Sequence, residues 1–348
     1  MLITFFKRIG LGVLSLIMVV VLITSIIFLS PVDPARLTFG QQFDNEMLEQ
    51  KRKSLGLDLP LRTQLIYYLR DISPVVFSKQ IPSHLREKVL ARIPLGITNL
   101  VLKKPYLRES YQTGRAVSKM IWQALPSTLL LALSAIIIAM ILGILFGLIS
   151  ALNEGCWIDD FLLTLSTLGY SIPSYVSAIV FALVFGYLLH HVTGLNIQGG
   201  LKVLNDLGDE VWMPRNLILP SIALGIRPVS VILQITRSAA LDVLEQPYVL
   251  LAKAKGLPKK MIILKYVLRN SLNPILTATT GWFASLLSGA FFVESVFNFR
   301  GFGQLTITAL LNYDVPLLLG CILTVSVIFI FINLSLDSVY RMIDPRVE

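Results

Sequence analysis

The chain has 348 residues, 55% of them hydrophobic and only 15% charged, with a mean hydropathy of +0.73. Soluble domains lie near ~45–50% apolar and ~25% charged, so the composition excludes an ordinary soluble globule and points to a membrane protein. A net charge of +9 does not require nucleic acid when lipid-length apolar runs are present, because Lys and Arg held at membrane faces account for it.

A bilayer is crossed by roughly 20 apolar residues of helix, and six runs meet or approach that length. The first, 9–29, follows Lys7 and Arg8. It is too long for a signal-peptide core, and "SPVDPAR" offers no small-residue cleavage site, so 9–30 reads as an uncleaved first transmembrane helix. A segment at 31–126 follows, expected on the external side. Its spacing predicts a helix over about 46–54, a break at Gly56 and a second helix after Pro60. Over about 73–104 it turns basic and proline-punctuated. That stretch is either a docking surface for an external partner or a solvated or lipid-facing loop helix.

The remaining runs, 127–152, 161–189, 217–235, 275–297 and 315–336, form a core of five transmembrane helices within 127–338. The fourth contains Pro220, Arg227 and Pro228. The expected fold class is therefore all-α, a polytopic membrane protein with six transmembrane helices. Short-loop charge favours cytoplasmic N- and C-termini, since Lys7, Arg8, Arg237, Arg341 and the 253–269 cluster fall on one side. The acidic loop "NEGCWIDD" runs against that bias.

Chemistry is sparse. His84, His190 and His191 lie in loops or at a span end, and HExxH, GxSxG, CxxC and phosphate-cradling P-loop patterns are absent from the sequence. Cys156 and Cys321 support neither a disulfide framework nor a metal cluster. No catalytic or metal residues are expected, and transport, channel activity or scaffolding remain.

One loop stands out. "EQPYVLLAKAKGLPKKMIILKYVLRNSLNP" carries six Lys/Arg in thirty residues between the fourth and fifth runs, inside a loop at 237–274. Pro247 suits the first turn of a short helix, Gly256 a helix end, and Pro258 the start of another. Apolar positions 261, 262, 264 and 268 alternate with basic ones at helical spacing, as in an interfacial helix. The pattern alone leaves open whether this loop anchors the fold or docks a partner.

The same stretch resembles the cytoplasmic coupling loop of ABC importer permeases, of the dipeptide and oligopeptide class. Tyr248, Val249, Ala252, Lys253, Ala254, Lys255, Gly256, Leu257, Arg269, Asn270 and Pro274 match, whereas Leu250 and Leu251 stand where that family has Arg-Thr. "KSLGLDLPLRTQLIYYL", "LGYSIPSYVSAIVF", "VESVFNFRGFGQLTITALLNYDVPLLLG" and the closing "DPRVE" are similar to other family segments in the same order, with Arg300 where proline is usual.

The resemblance implies a type I permease subunit in the cytoplasmic (inner) membrane, with peptides as cargo. Nickel or another small solute is the alternative within the same importer class, and a non-ABC channel or scaffold the alternative outside it. It implies a second permease subunit, two ATP-binding subunits and an extracytoplasmic substrate-binding protein as partners. ATP would be bound by those partners, with no cofactor here. The coupling loop would use Glu245, Tyr248, Val249, Ala252, Lys253, Ala254, Lys255 and Gly256. Candidates for the pathway are Arg227, Glu294, Ser171 and Pro173. Arg227 is either a functional intramembrane charge or half of a structural ion pair, for instance with Glu294.

Overall fold

The computed structural model describes residues 2–29, 34–37, 45–78, 82–95, 98–205 and 208–343. The chain divides into two compact units, 1–124 with 305–327, and 125–304 with 328–348.

In the first unit, α1 (Leu2–Leu29) is apolar and is followed by α2 (Pro34–Leu37), α3 (Asn45–Leu55) and α4 (Leu61–Ile72). α3 stops at Gly56, where the Gly56 and Leu57 amides bond the Lys53 and Arg52 carbonyls. Pro60 then stands at the N-cap of α4, as the spacing predicts.

The described part of the stretch over 73–104 is mainly strand and not the expected loop helix. It builds a three-stranded antiparallel sheet of β1 (Val75–Ser78), β2 (Val89–Leu95) and β3 (Thr98–Lys103), in the order β1-β3-β2. Pro94 is accommodated because β2 is an edge strand. Along β3, Val101 and Lys103 are buried while Leu102 faces out, a period of two that the basic residues mask in the sequence. The Lys103 ammonium donates to the Asp71 carbonyl at 2.6 Å, so the buried cation is satisfied.

α5 (Val117–Leu152) contributes to both units. The second unit continues with α6 (Trp157–Ser171) and α7 (Ser174–Phe181), the latter running on as a π-helix over Ala182–Leu188. α6 and the 174–188 helix meet at 106°. Pro173 has no N–H to donate, and it holds Ile172 extended at φ −75°, ψ 126°. The run at 161–189 is thus a broken element rather than one straight helix.

After α8 (His190–Thr193), a hairpin of β4 (Lys202–Leu204) and β5 (Glu210–Trp212) leads through a 3-10 turn to α9 (Ile218–Leu244). α9 packs against α6, α7 and α12 (Arg269–Val296) and is the hub of the unit. A Cβ on Gly147 of α5 would come within 2.7 Å of the Leu233 carbonyl of α9, so a side chain there would force the two helices apart. Between α9 and α12 lie α10 (Pro247–Ala254) and α11 (Lys259–Met261), with a second π-helical stretch over Ile262–Leu268. α13 (Phe302–Leu311) and α14 (Val315–Ile343) close the chain.

Among the described residues, three helices are long and apolar enough to cross a membrane singly, or five spans if each bent pair is one. α1 contributes a shorter apolar run at Gly10–Ser25, so the expected six is not reached by length and apolarity. The two sheets also add strand to a fold expected to be all helix.

Candidate functional site

α10 follows α9 after a single turn. Pro247 occupies its first turn, and its end is a Schellman close in which the Gly256 amide bonds the Lys253 carbonyl (3.0 Å) and the Leu257 amide that of Ala252 (3.3 Å). Gly256 has φ +74°, the left-handed region such a close requires. The helix is seated on its own chain. Val249 and Ala252 are buried in a cluster with Ala151, Ala240, Ile262 and Val267, against which Leu257 packs.

The expected contact residues divide between two faces of the helix. Val249 and Ala252 face inward and hold the helix down. The outward face carries Tyr248, Leu250, Leu251, Lys253, Ala254 and Lys255, with Gly256 exposed beyond them and Glu245 exposed at the end of α9. The two leucines, which depart from the family pattern, are each more than half exposed.

Beneath α10 the helix ends are clamped. The Arg237 guanidinium near the end of α9 donates through Nε and Nη2 to both oxygens of Asp159, each at 2.7 Å. Asp159 also accepts from the Ser150 hydroxyl at 2.5 Å and the Gly155 amide at 3.1 Å. One carboxylate therefore ties the end of α5, the start of α6 and the end of α9 together. The acidic loop that opposed the charge bias supplies this partner. Sequence reading noted both the loop and Arg237 but did not join them, because 78 positions separate the pair.

The pathway candidates separate into different environments. Arg227 is half-buried on α9; its Nε donates to the Tyr170 carbonyl at 3.3 Å and its guanidinium lies 5.3 Å from the Tyr170 ring centre. Tyr170 in turn meets Trp282 edge-on at 6.5 Å. The Tyr170 carbonyl precedes the α6–α7 break at Pro173, where helical donors run out, and Arg227 supplies one. Ser171 is exposed and bonds back to the Thr167 carbonyl.

Glu294 is fully buried and is not paired with Arg227 among the described contacts. It accepts from the Thr128 hydroxyl at 2.5 Å and the Gln304 amide at 2.9 Å, while Thr128 accepts from the Phe302 amide at 2.7 Å. Together they cap the N-terminus of α13. An enclosed, hydrogen-bonded carboxylate of this kind holds a helix end in place.

Residues 143–348 match the family described as the binding-protein-dependent transport system inner membrane component, and residues 1–132 match its N-terminal companion family. The chain belongs to this inner-membrane transport family. It is a multi-pass membrane permease component. The dipeptide transport system permease protein DppB of Alkalihalophilus pseudofirmus is 31% identical, over 98% of each chain. The glutathione transport system permease protein GsiC of Pectobacterium atrosepticum is 32% identical, over 99% of this chain and 98% of that one. In fold, the permease is similar to a chain of the inward-facing MetNI methionine ABC transporter, with a TM-score of 0.52 and 15% identity, covering 65% of this chain and 97% of that one.

Proposed function

We propose that this permease is one of two membrane subunits of an ATP-driven importer of short peptides, and that α10 is its coupling helix. The outward face of α10 carries the reading: Tyr248, Leu250, Leu251 and Ala254 form an apolar strip flanked by Lys253 and Lys255, on a helix clamped from beneath. A helix seated this way transmits a push to α9 and α12 without absorbing it. Its partner would be one of two ATP-binding subunits, which hold the nucleotide and do the ATP chemistry, so no cofactor is assigned to this chain. A second permease and an external substrate-binding protein complete the assembly, and both termini lie in the cytoplasm.

Peptide cargo is supported by relatives named for dipeptide and glutathione transport. Arg227, with Tyr170 and Trp282 beside it, is the pathway group best suited to meet a peptide carboxylate. Copurification tests the coupling reading. Leu251→Asp and Ala254→Trp alter only exposed positions, and each should leave insertion normal while the ATP-binding subunit is lost from the purified complex. Wild-type recovery of that subunit with both variants would overturn the assignment. Ala252→Trp is uninformative by comparison, because it disrupts the chain's own packing.

A further inference from the structure

The first unit contains a cavity formed by residues between 51 and 114. It has a volume of about 770 Å3 and is lined by α3, α4 and the stretch at 106–114. Four cations border it, Lys51, Lys53, Arg70 and Arg108, against two carboxylates, Asp71 and Glu109.

Arg108 is already occupied. It pairs with buried Asp71 at 2.9 Å, interacts electrostatically with Tyr111, and lies over the Tyr68 ring. Its backbone sits at φ 62°, a conformation rare outside glycine and concentrated at ligand clamps and active sites. Glu109 interacts electrostatically with Lys88, whose ammonium sits 3.2 Å from the Tyr106 ring centre.

Arg70 is not occupied. Its guanidinium carbon lies 4.9 Å from the Tyr67 ring centre, and its Nε is sealed from solvent with no hydrogen-bond partner. That unpaired donor is costly, and the Nη groups, which are neither sealed nor hydrogen-bonded among the described residues, are the part of Arg70 that a ligand in the cavity can reach. Lys51 and Lys53 add charge at the rim, and no ion pair holds either of them among the described residues.

The outer edge of the guanidinium, formed by its two Nη groups, presents parallel N–H donors that match a carboxylate. Tyr67, Tyr106 and Tyr111 also line the cavity and offer surface to an organic body. Small-molecule sites run to about 300–1,000 Å3, and a bare inorganic ion would leave most of this one unfilled. We propose that the cavity binds a small organic carboxylate of short-peptide size, seated with its carboxylate on Arg70. The inference does not depend on what the spans carry.

Calorimetry on the purified full-length chain in detergent tests it, with Ala-Ala as the probe and its C-terminal amide and inorganic phosphate as comparators. Ala-Ala should bind, and both the amide and phosphate should bind at least about tenfold more weakly, since the first lacks the carboxylate and the second the organic body. Arg70→Gln should weaken Ala-Ala by about tenfold or more. Should Arg70→Gln fail to fold, the double variant Lys51→Gln/Lys53→Gln, at solvent-accessible rim positions, should weaken Ala-Ala about threefold at low salt and little at high salt. Three results would each overturn the proposal: no binding of Ala-Ala, equal binding of acid and amide, or Ala-Ala affinity unchanged in a folded variant, which would place any binding elsewhere.

Discussion

Gly256 shows how far a single residue can be read in advance. At φ +74°, it has nothing within 4 Å of where a Cβ would point, so any substitution there meets backbone strain and no steric obstacle. Gly256→Asn should be tolerated best, Gly256→Ala next and Gly256→Val least, across a range of about 1–3 kcal/mol. Proteolytic nicking of the 255–258 turn measures the order, and equal protection in all three would refute it. The glycine was legible because its signal is local: a helix-period run before it and Pro258 after it. The Asp159–Arg237 pair carried no such signal, since residues distant in the chain meet only once α6 and α9 pack. Asp159 is 2% exposed, so Arg237→Met would leave its charge buried without a counter-charge, held only by the Ser150 hydroxyl and the Gly155 amide. A loss of about 3–5 kcal/mol is expected, partly recovered in the Asp159→Asn/Arg237→Met double variant. Thermal melts of the detergent-solubilised protein test this; an unchanged melting temperature in Arg237→Met would contradict it.

Elements divide along the same line. The helix pair around Gly56 was predicted from punctuation alone, whereas the sheet at 75–103 escaped because Arg92 and Lys103 sit within its alternation and other basic residues lie between its strands. The apolar run at 161–189 conceals its 106° turn, since hydropathy reports greasiness and not direction; only Pro173 hinted at it. Glu294 was noticed as a pathway candidate and possible partner of Arg227, and its task as a cap for α13 became visible only from its bonds to Thr128 and the Gln304 amide. Removing it should leave the first amides of α13 unsatisfied in an apolar surround. Glu294→Ala and Thr128→Val are each expected to cost about 1–3 kcal/mol. Because both serve one cap, the double variant should cost clearly less than the sum. Strict additivity in a double-mutant cycle would show that they act separately.

For the molecule as a whole, the expected orientation places the loop after α5 in the cytoplasm, together with α10. Cys156 in that loop is exposed and Cys321 is buried, so the native chain already carries a one-site reporter. A membrane-impermeant maleimide should label Cys156 in inverted vesicles and leave it unlabelled in intact right-side-out cells, with Cys156→Ser as the blank. Labelling from outside would reverse the topology and move α10 away from any cytoplasmic ATPase. Family and general architecture were legible from ordered motifs spread along the chain. The count of spans was not, because bends and a short first apolar run blur what hydropathy tallies.

The π-helical turn at Ile262–Leu268, just beyond α11, bears on which insertions and deletions the chain tolerates. Such a turn takes up one residue more than the α repeat, and each residue of an α-helix advances the face by about 100°. Deleting one residue there lets the turn relax to α while α12 keeps its phase. The same deletion in α9, which has no surplus, would rotate every later side chain off its neighbour. In a deletion scan, loss of Leu264 should therefore leave a folded permease, and loss of Ile232 should not. Natural length changes in this family should likewise gather at such turns.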